Sequence, residues 1–97
     1  MEIYTAVSAL SALAHAGRLS VFRMLVQAGP EGLAAGEISR RLDVPANSLS
    51  TNLQILSHAQ LGSSRRDGRS VIYSALHDSM ARLPEYLMEG CRDRTPE

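Results

Sequence analysis

The sequence predicts a mainly α domain of the α+β class, with about five helices and one β-hairpin. Apolar residues recur every three or four positions in five segments, as on the buried stripe of a helix. Two short runs with strand character flank Asp67-Gly68, a strong hairpin turn signal. A length of 97 residues suits one small domain and hardly two. Residues 1–97 are therefore expected to form a single domain.

The first two helices are predicted before residue 30. The first extends over 3–13 with one apolar stripe and small residues elsewhere; the stripe is Ile3, Val7, Leu10 and Leu13. The second extends from about Gly17 to Ala28 and ends at Gly29-Pro30. Its expected inward residues are Leu19, Phe22, Leu25 and Val26. A loop follows, with a short strand expected at Leu33.

Residues 37–60 have the pattern of two helices joined by a turn. A short helix from Glu37 to Leu42 is expected to bury Ile38, and Asp43-Val44-Pro45 turns the chain, since proline ends one helix and suits the first turn of the next. The fourth helix is predicted from about Ala46 to Gln60. Its expected buried residues are Leu49, Leu53, Leu56 and Ala59.

The outward face of the fourth helix is unusually free of charge. Its residues are Asn47, Ser48, Ser50, Thr51, Asn52, Gln54 and Ser57. An ordinary solvated helix carries Glu and Lys, whereas short donor and acceptor side chains suit the base edges of a DNA major groove. We interpret this face as a groove reader; simple solvation is the alternative.

The hairpin is predicted over residues 61–76, with strands at 61–64 and 70–75 and with Arg65, Arg66 and Arg69 around its turn. A last helix is expected from about His77 to Cys91. Its apolar residues are Met80, Leu83, Leu87 and Met88. Pro84 interrupts that helix, either as a kink or because the helix starts later.

The charge is distributed unevenly although the formal net charge is zero. Between residues 40 and 76 five arginines stand against Asp43 and Asp67, a balance of +3 in the region predicted to read DNA. All ten basic residues are arginine. Arginine suits bidentate contacts to phosphate or guanine, and codon composition is the alternative explanation.

The chain resembles the ArsR/SmtB family of dimeric bacterial winged helix-turn-helix repressors over nearly its whole length. Three segments carry the resemblance: 13–25 (LAHAGRLSVFRML), 50–61 (STNLQILSHAQL) and 66–73 (RDGRSVIY). The resemblance implies that the fourth helix enters the major groove and that the hairpin, the wing, touches the minor groove or backbone. It also implies dimerisation helices at residues 1–14 and 77–91, and release from DNA by an inducer.

We therefore expect a homodimeric repressor that binds double-stranded DNA at an inverted repeat, because a two-fold dimer places two recognition helices on successive major grooves. The expected DNA contacts are Asn47, Ser48, Ser50, Thr51, Asn52, Gln54, Arg65, Arg66 and Arg69. Arg69 is expected in the minor groove, and Arg65 and Arg66 at phosphates. Two residues depart from the family pattern: Asn52 replaces a histidine, and Gln60 replaces the glycine that ends the helix.

The effector is expected to be thiophilic. Residues 87–92 resemble the end of the last helix in arsenic-responsive relatives, with Cys91 kept and Arg92 in place of a second cysteine. Trivalent arsenic binds two or three thiolates, so a site needs Cys91 from both subunits or an organic arsenical. A redox switch and an unreactive thiol are the alternatives. His77 and Asp78 lack the second histidine of a zinc site, and no metal site is predicted.

Other classes of function are less well supported. No apolar run reaches the roughly 20 residues of a membrane span, and residues 1–3 lack the order of a secretion signal, so a cytoplasmic protein without membrane contact is expected. No catalytic motif is present, and we do not expect an enzyme. The alternative function is a winged-helix protein-interaction module without specific DNA binding, which salt dependence of binding discriminates.

Overall fold

Five helices and a small antiparallel sheet form the computed structural model, which describes residues 1–90. The helices are α1 (Ile3–Leu13), α2 (Ala16–Ala28), α3 (Ala35–Leu42), α4 (Ala46–His58) and α5 (His77–Leu87). The strands are β1 (Leu33–Ala34), β2 (Gly62–Asp67) and β3 (Ser70–Ala75), and a 3₁₀ helix (Gly29–Glu31) follows α2. These elements confirm the predicted fold class, a winged helix-turn-helix.

The small residues of α1 face the core, which the predicted apolar stripe did not anticipate. Ala6, Ala9 and Ala12 are almost fully buried, whereas Val7 is 55% exposed. Helix α1 packs against α2, α4 and α5, and the methyl side chains of its inner face suit a close approach of helices. Of the predicted apolar stripe, only Leu13 is half-buried against the core, and the other three residues are exposed.

Helix α2 lies in the centre of the domain. Val21, Phe22 and Leu25 are buried, and Leu19 and Val26, expected to face inward, are 42% and 37% exposed. Leu19 and Val26 lie beside the buried stripe on the helix surface. The predicted inward face is therefore displaced by about one residue around the helix axis from the observed one. The helix begins one residue earlier than predicted, at Ala16, because the Nδ1 atom of His15 accepts a hydrogen bond from the amide of Arg18 at 3.3 Å.

The turn between α3 and α4 is fixed by local hydrogen bonds. Asp43 adopts a left-handed conformation with φ of 54°, and the hydroxyl of Ser39 donates to the carbonyl oxygen of Val44 at 2.6 Å. Helix α3 begins at Ala35 rather than Glu37 and directly follows β1. The buried Ile38 and the partly buried Leu42 face the core as predicted.

Helix α4 buries the four residues predicted for its inner face: Leu49, Leu53, Leu56 and Ala59. It ends at His58, two residues early, in a Schellman motif. The amide of Gln60 donates to Ser57 and the amide of Leu61 donates to Leu56. Gln60 has φ of 63°, which confirms the left-handed cap expected where relatives carry glycine and which costs about 1 kcal/mol relative to glycine.

The sheet has three strands in the order β1-β3-β2, so β1 extends the predicted hairpin. Leu33 pairs with Tyr73, which confirms the expected strand at Leu33. Strand β2 continues to Asp67, beyond the predicted end at Ser64, and the two-residue turn is Gly68-Arg69. Gly68 has φ of 64°, the arrangement of a type II′ turn. Strand β3 packs on α2, and β2 packs on α4.

Helix α5 begins at His77 and continues through Pro84, so proline does not delay its start. The helix ends at Leu87, and the expected continuation through residues 88–90 is wrong; Cys91 lies outside the described residues. Leu83 is buried, and Met80 packs against the core. Within residues 1–90, no helix combines the length and the apolar character that a bilayer crossing requires.

Candidate nucleic-acid interface

The solvent face of α4 presents uncharged hydrogen-bonding groups. Asn47, Ser50, Thr51 and Gln54 are exposed on it, in the positions that a helical repeat places together. The carbonyl oxygen of Asn47 accepts a hydrogen bond from the Thr51 hydroxyl at 3.2 Å, and the Asn47 side-chain oxygen accepts from the amide of Ser48 at 2.9 Å. The Asn47 amide nitrogen therefore remains a donor directed away from its own backbone.

The first turn of α4 adds backbone donors to this face. Its N-cap residue is Pro45, which supplies no side-chain hydrogen bond to the first amides of the helix. Such amides carry the positive end of the helix dipole and suit phosphate oxygens. The uncharged side chains and the backbone donors thus occupy the same end of the helix.

Asn52 stands apart from this group. Asn52 is half-buried. A Cβ added to Gly17 would lie 3.7 Å from the Nδ2 atom of Asn52 and would also contact the ring of His15. Asn52 therefore faces the N-terminus of α2, whereas Asn47, Thr51 and Gln54 face solvent. Base contact by Asn52 stays a prediction, and the exposed Gln54 is the better placed of the two. Ser48, also predicted, is exposed.

The wing arginines separate onto two faces of the hairpin. Arg65 pairs in register with Ile72, and Arg66 pairs with Val71, so successive side chains point to opposite sides. The Arg65 guanidinium donates to the carbonyl oxygen of Glu31 at 2.8 Å and to the Ser74 hydroxyl at 3.5 Å. Arg65 thereby fastens the wing to the 3₁₀ helix, and phosphate contact by Arg65 stays a prediction.

Arg66 and Arg69 are exposed near the tip of the wing. Arg69 is the second residue of the two-residue turn, the outermost position of the hairpin. Among residues 1–90, neither side chain has an ion-pair or hydrogen-bond partner. An extended hairpin with cationic side chains at its tip is suited to a DNA backbone or a narrow minor groove.

The two arginines of α3 are already paired with an acid. Arg41 and Arg40 both contact the carboxylate of Glu37, with a distance of 2.7 Å between Arg41 Nε and Glu37 Oε2. These guanidiniums hold the pKa of Glu37 below its usual value. Much of the positive charge of α3 is thus balanced locally, which leaves the wing as the more cationic part of the predicted DNA-binding region.

A second surface lies on the terminal helices. Helix α1 contains no charged residue, yet Ile3, Tyr4, Val7 and Leu10 are 42–79% exposed. Leu87, the last residue of α5, and Met88, its C-cap, are also more than half exposed. A cleft lined by Met1, Tyr86 and Glu89 brings the start of α1 beside the end of α5, so we define these six exposed apolar residues as the terminal-helix patch.

The predicted effector residue cannot be placed, since Cys91 lies outside the described residues. Among residues 1–90, no group of three or more His, Cys, Asp and Glu side chains is arranged to hold a metal ion. The cap of α5 is Leu76, without a side-chain hydrogen bond, so neither His77 nor Asp78 caps the helix.

Sequence reasoning missed two structural supports of the wing. The anchoring role of Arg65 was predictable in part from strand alternation, which separates Arg65 from Arg66 once β2 extends to Asp67. The second support is Gly32. A Cβ at this residue would stand 2.3 Å from the carbonyl oxygen of Tyr73, so the 3₁₀ helix can approach β3 only because residue 32 is glycine.

Comparison with known proteins agrees with this geometry. The helix-turn-helix domain family matches residues 13–61. The biofilm growth-associated repressor of Agrobacterium fabrum is 33% identical over 78 residues, which are 80% of this chain and 64% of the relative. The chain thus spans less than two thirds of the length of that relative.

Two solved structures show the same fold. An ArsR-like transcriptional regulator from Rhodococcus sp. RHA1 has a TM-score of 0.80 at 22% identity, over 93% of this chain and 82% of that one. The homodimeric winged helix-turn-helix DNA-binding domain of a Mycobacterium bovis protein has a TM-score of 0.72 at 22% identity, over 96% and 86% of the two chains.

The fold, the polar face of α4 and the arginine-tipped hairpin together define a winged helix-turn-helix domain, the fold that the ArsR-like regulator shares. Because the match covers about half of the sequence, including α2, α3 and α4, the chain belongs to the helix-turn-helix domain family. The resemblance predicted from the sequence is confirmed at this level, whereas the likeness to arsenic-responsive members stays a prediction.

Proposed function

We propose that this protein is a homodimeric transcriptional repressor that binds double-stranded DNA at an inverted-repeat operator in the cytoplasm. The observation that carries the proposal is the exposed uncharged face of α4, formed by Asn47, Ser50, Thr51 and Gln54, beside a wing that ends in Arg69. Side chains of this type read base edges, and arginines bind phosphates or a narrow minor groove. The similarity to a repressor supports the same assignment.

The terminal-helix patch supports the homodimer. Six large apolar residues on two adjoining helices are exposed in the single chain, and a second copy of the same patch is a self-complementary partner under two-fold symmetry. The homodimeric state of the similar Mycobacterium bovis domain adds support. Two copies of α4 related by this axis read two half-sites about one helical turn of DNA apart.

The first experiment is a fluorescence-anisotropy titration of the full chain onto duplex DNA from upstream of its own gene, beside a scrambled duplex, at two salt concentrations. We expect tighter binding to the native duplex and a steep loss of affinity at higher salt, because arginine contacts release counterions from DNA. Equally weak binding to both duplexes would instead favour a winged helix that binds a protein partner.

Two single substitutions distinguish a residue that recognises the base sequence from one that binds DNA of any sequence. Gln54→Ala is expected to reduce the preference for operator over scrambled DNA by roughly 1–3 kcal/mol, because a base-edge contact carries sequence information. Arg69→Ala is expected to weaken binding to both duplexes alike and to flatten the salt dependence, because the positive charge of a wing arginine is attracted to DNA of any sequence. The anisotropy assay measures both effects.

The matched control is Arg23→Ala, which removes an exposed arginine of α2 outside the proposed interface. It should leave affinity, preference and salt dependence close to those of the parent protein. Unchanged discrimination in the Gln54→Ala protein would contradict the assignment of α4 as the reading element.

We further propose that a thiophilic or redox signal at Cys91 releases the repressor, a trivalent arsenical being the expected ligand. The resemblance of residues 87–92 to the ending of arsenic-responsive relatives supports this, as does the affinity of soft metalloids for thiolates. Cys91→Ser is expected to retain DNA binding and to lose any release by phenylarsine oxide or arsenite in the same assay. Persistent release of the serine variant would refute a role for this thiol.

A further inference from the structure

A cleft of about 540 Å³ lies between α1, α2 and the C-terminal half of α4. Its polar side chains come from all three helices: Ser8 and Ser11 from α1, Arg18 from α2, and Gln54 and His58 from α4. The volume is in the range of small-molecule binding sites.

The lining of the cleft has a distinct chemistry. All of its residues are described, and they include an arginine, a histidine, two serines and a glutamine but no carboxylate. Guanidinium, imidazole and hydroxyl groups all donate hydrogen bonds, and the imidazole does so in either protonation state. Ile55 and two alanines form the apolar part of the wall. Such a site selects an anion that carries a small apolar body.

Arg18 is oriented before any ligand arrives. Its Nε atom donates a hydrogen bond to the carbonyl oxygen of Ala12 at 2.7 Å, in a partly buried position at the end of α1. This contact occupies one donor of the guanidinium fork and leaves four others. Because this hydrogen bond already restricts the Arg18 side chain, anion binding causes little further loss of side-chain conformational entropy.

The cleft adjoins the predicted reading face. Asn47, Thr51, Gln54 and His58 follow one another at intervals of four, three and four residues, so they form one row along α4. Gln54 belongs both to this row and to the wall of the cleft. A ligand that engages Gln54 and His58 therefore competes with the DNA contacts of the same row.

We propose that this cleft is an effector site for a small organic anion, a carboxylate or phosphate on an apolar body, whose binding weakens operator binding. The binding step stands on the cleft alone, and the effect on DNA rests on the function proposed above. The site is separate from Cys91 and does not depend on a thiophilic signal.

Binding is tested without DNA by titrating benzoate into the isotope-labelled full chain and recording amide and side-chain NMR shifts. Benzamide, its neutral isostere, is the control ligand, and inorganic phosphate tests the anionic group without an apolar body. We expect saturable shifts at Ser8, Gln54 and His58 with benzoate and none with benzamide. Shifts that do not saturate, that spread over all exposed arginines, or that are absent for benzoate and phosphate alike would overturn the proposal.

Two variants assign the shifts to the cleft. His58→Ala removes an exposed side chain and should weaken benzoate binding about tenfold, whereas Arg23→Ala, on another face of α2, should not. Arg18→Gln tests the guanidinium, with thermal unfolding as a check that α1 is still capped. Equal benzoate affinity in the parent, His58→Ala and Arg18→Gln proteins would overturn the site.

The regulatory step is tested by adding benzoate to the protein–operator complex in the anisotropy assay. At a benzoate concentration that just saturates the parent protein, we expect a loss of operator affinity of about tenfold in the parent and a clearly smaller loss in the His58→Ala protein. If benzoate binds saturably but the protein shows no preference for operator over scrambled DNA, the cleft is upheld as a binding site and the proposed function is refuted. A His58→Ala protein that loses affinity for all DNA and never binds benzoate would assign the cleft to the DNA backbone and overturn the proposal.

Discussion

Val7→Glu is expected to convert the proposed dimer to a monomer and to reduce operator affinity about 100-fold, because the two half-sites are then bound independently rather than by one linked pair. Val7 is 55% exposed on an uncharged helix, and it lies between Ile3 and Leu10 on one stripe of that helix. The glutamate meets solvent in the monomer, so the fold itself should be retained. In a two-fold interface it is buried beside apolar residues, and often near its own symmetry copy, where a charge is strongly disfavoured.

Size-exclusion chromatography with light scattering measures the oligomeric state, and anisotropy measures operator affinity. The matched control is Gln27→Glu, which adds the same charge at an exposed residue of α2 outside the patch. We expect Gln27→Glu to remain dimeric. A Val7→Glu protein that stays dimeric with unchanged affinity would show that the terminal-helix patch is not the interface.

Gly32→Ala is expected to destabilise the domain by about 2–4 kcal/mol, the largest effect on stability that we predict for a single methyl group. Two causes add. Gly32 has φ of 73°, a conformation that L residues rarely adopt, and the new Cβ would stand 2.3 Å from the carbonyl oxygen of Tyr73 and 2.6 Å from the Ser74 hydroxyl. Backbone cannot move aside as a flexible side-chain end does, so the 3₁₀ helix must separate from β3.

Gly29→Ala provides the control, since Gly29 has φ of 77° but no atom within 4 Å of the added Cβ. It retains the backbone strain without the steric clash, and we expect a cost of about 1–3 kcal/mol, the range for a side chain at this positive φ with an extended ψ of −166°. Urea unfolding followed by circular dichroism compares the two variants. Equal destabilisation by both would show that β3 yields to the extra methyl group.

The same position links stability to the proposed DNA binding. Gly32 lies between the 3₁₀ helix and the strand whose Ser74 hydroxyl contacts both Arg65 and the carbonyl oxygen of Pro30. Separation of these elements would release the wing from the body of the domain. The Gly32→Ala protein, examined below its unfolding transition, should therefore also bind scrambled DNA less tightly than the Gly29→Ala protein.

The sequence by itself determined the order of the elements, the buried face of α4 and, to within one residue, the hairpin turn, which was expected at Asp67-Gly68 and lies at Gly68-Arg69. These features depend on neighbouring residues alone. Leu49, Leu53 and Leu56 repeat at helical spacing between polar residues, so only one face of α4 can be buried. Gly68 permits the positive φ of a tight turn. The left-handed cap at Gln60 followed from the family resemblance, in which glycine ends this helix.

Only the tertiary structure decided which face of α1 is internal and which distant residues four polar side chains approach. Neither face of α1 carries a charge. Periodicity alone therefore does not distinguish the alanine face, which packs in the core, from the face of large apolar residues, which is left exposed for the proposed subunit interface. Arg65 and Asn52 read from sequence as solvent-facing, yet they approach Glu31 and Gly17, residues distant in the chain. Arg18 and His58 meet across a cleft for the same reason: contacts between residues far apart in sequence depend on how whole elements pack, which local pattern does not encode.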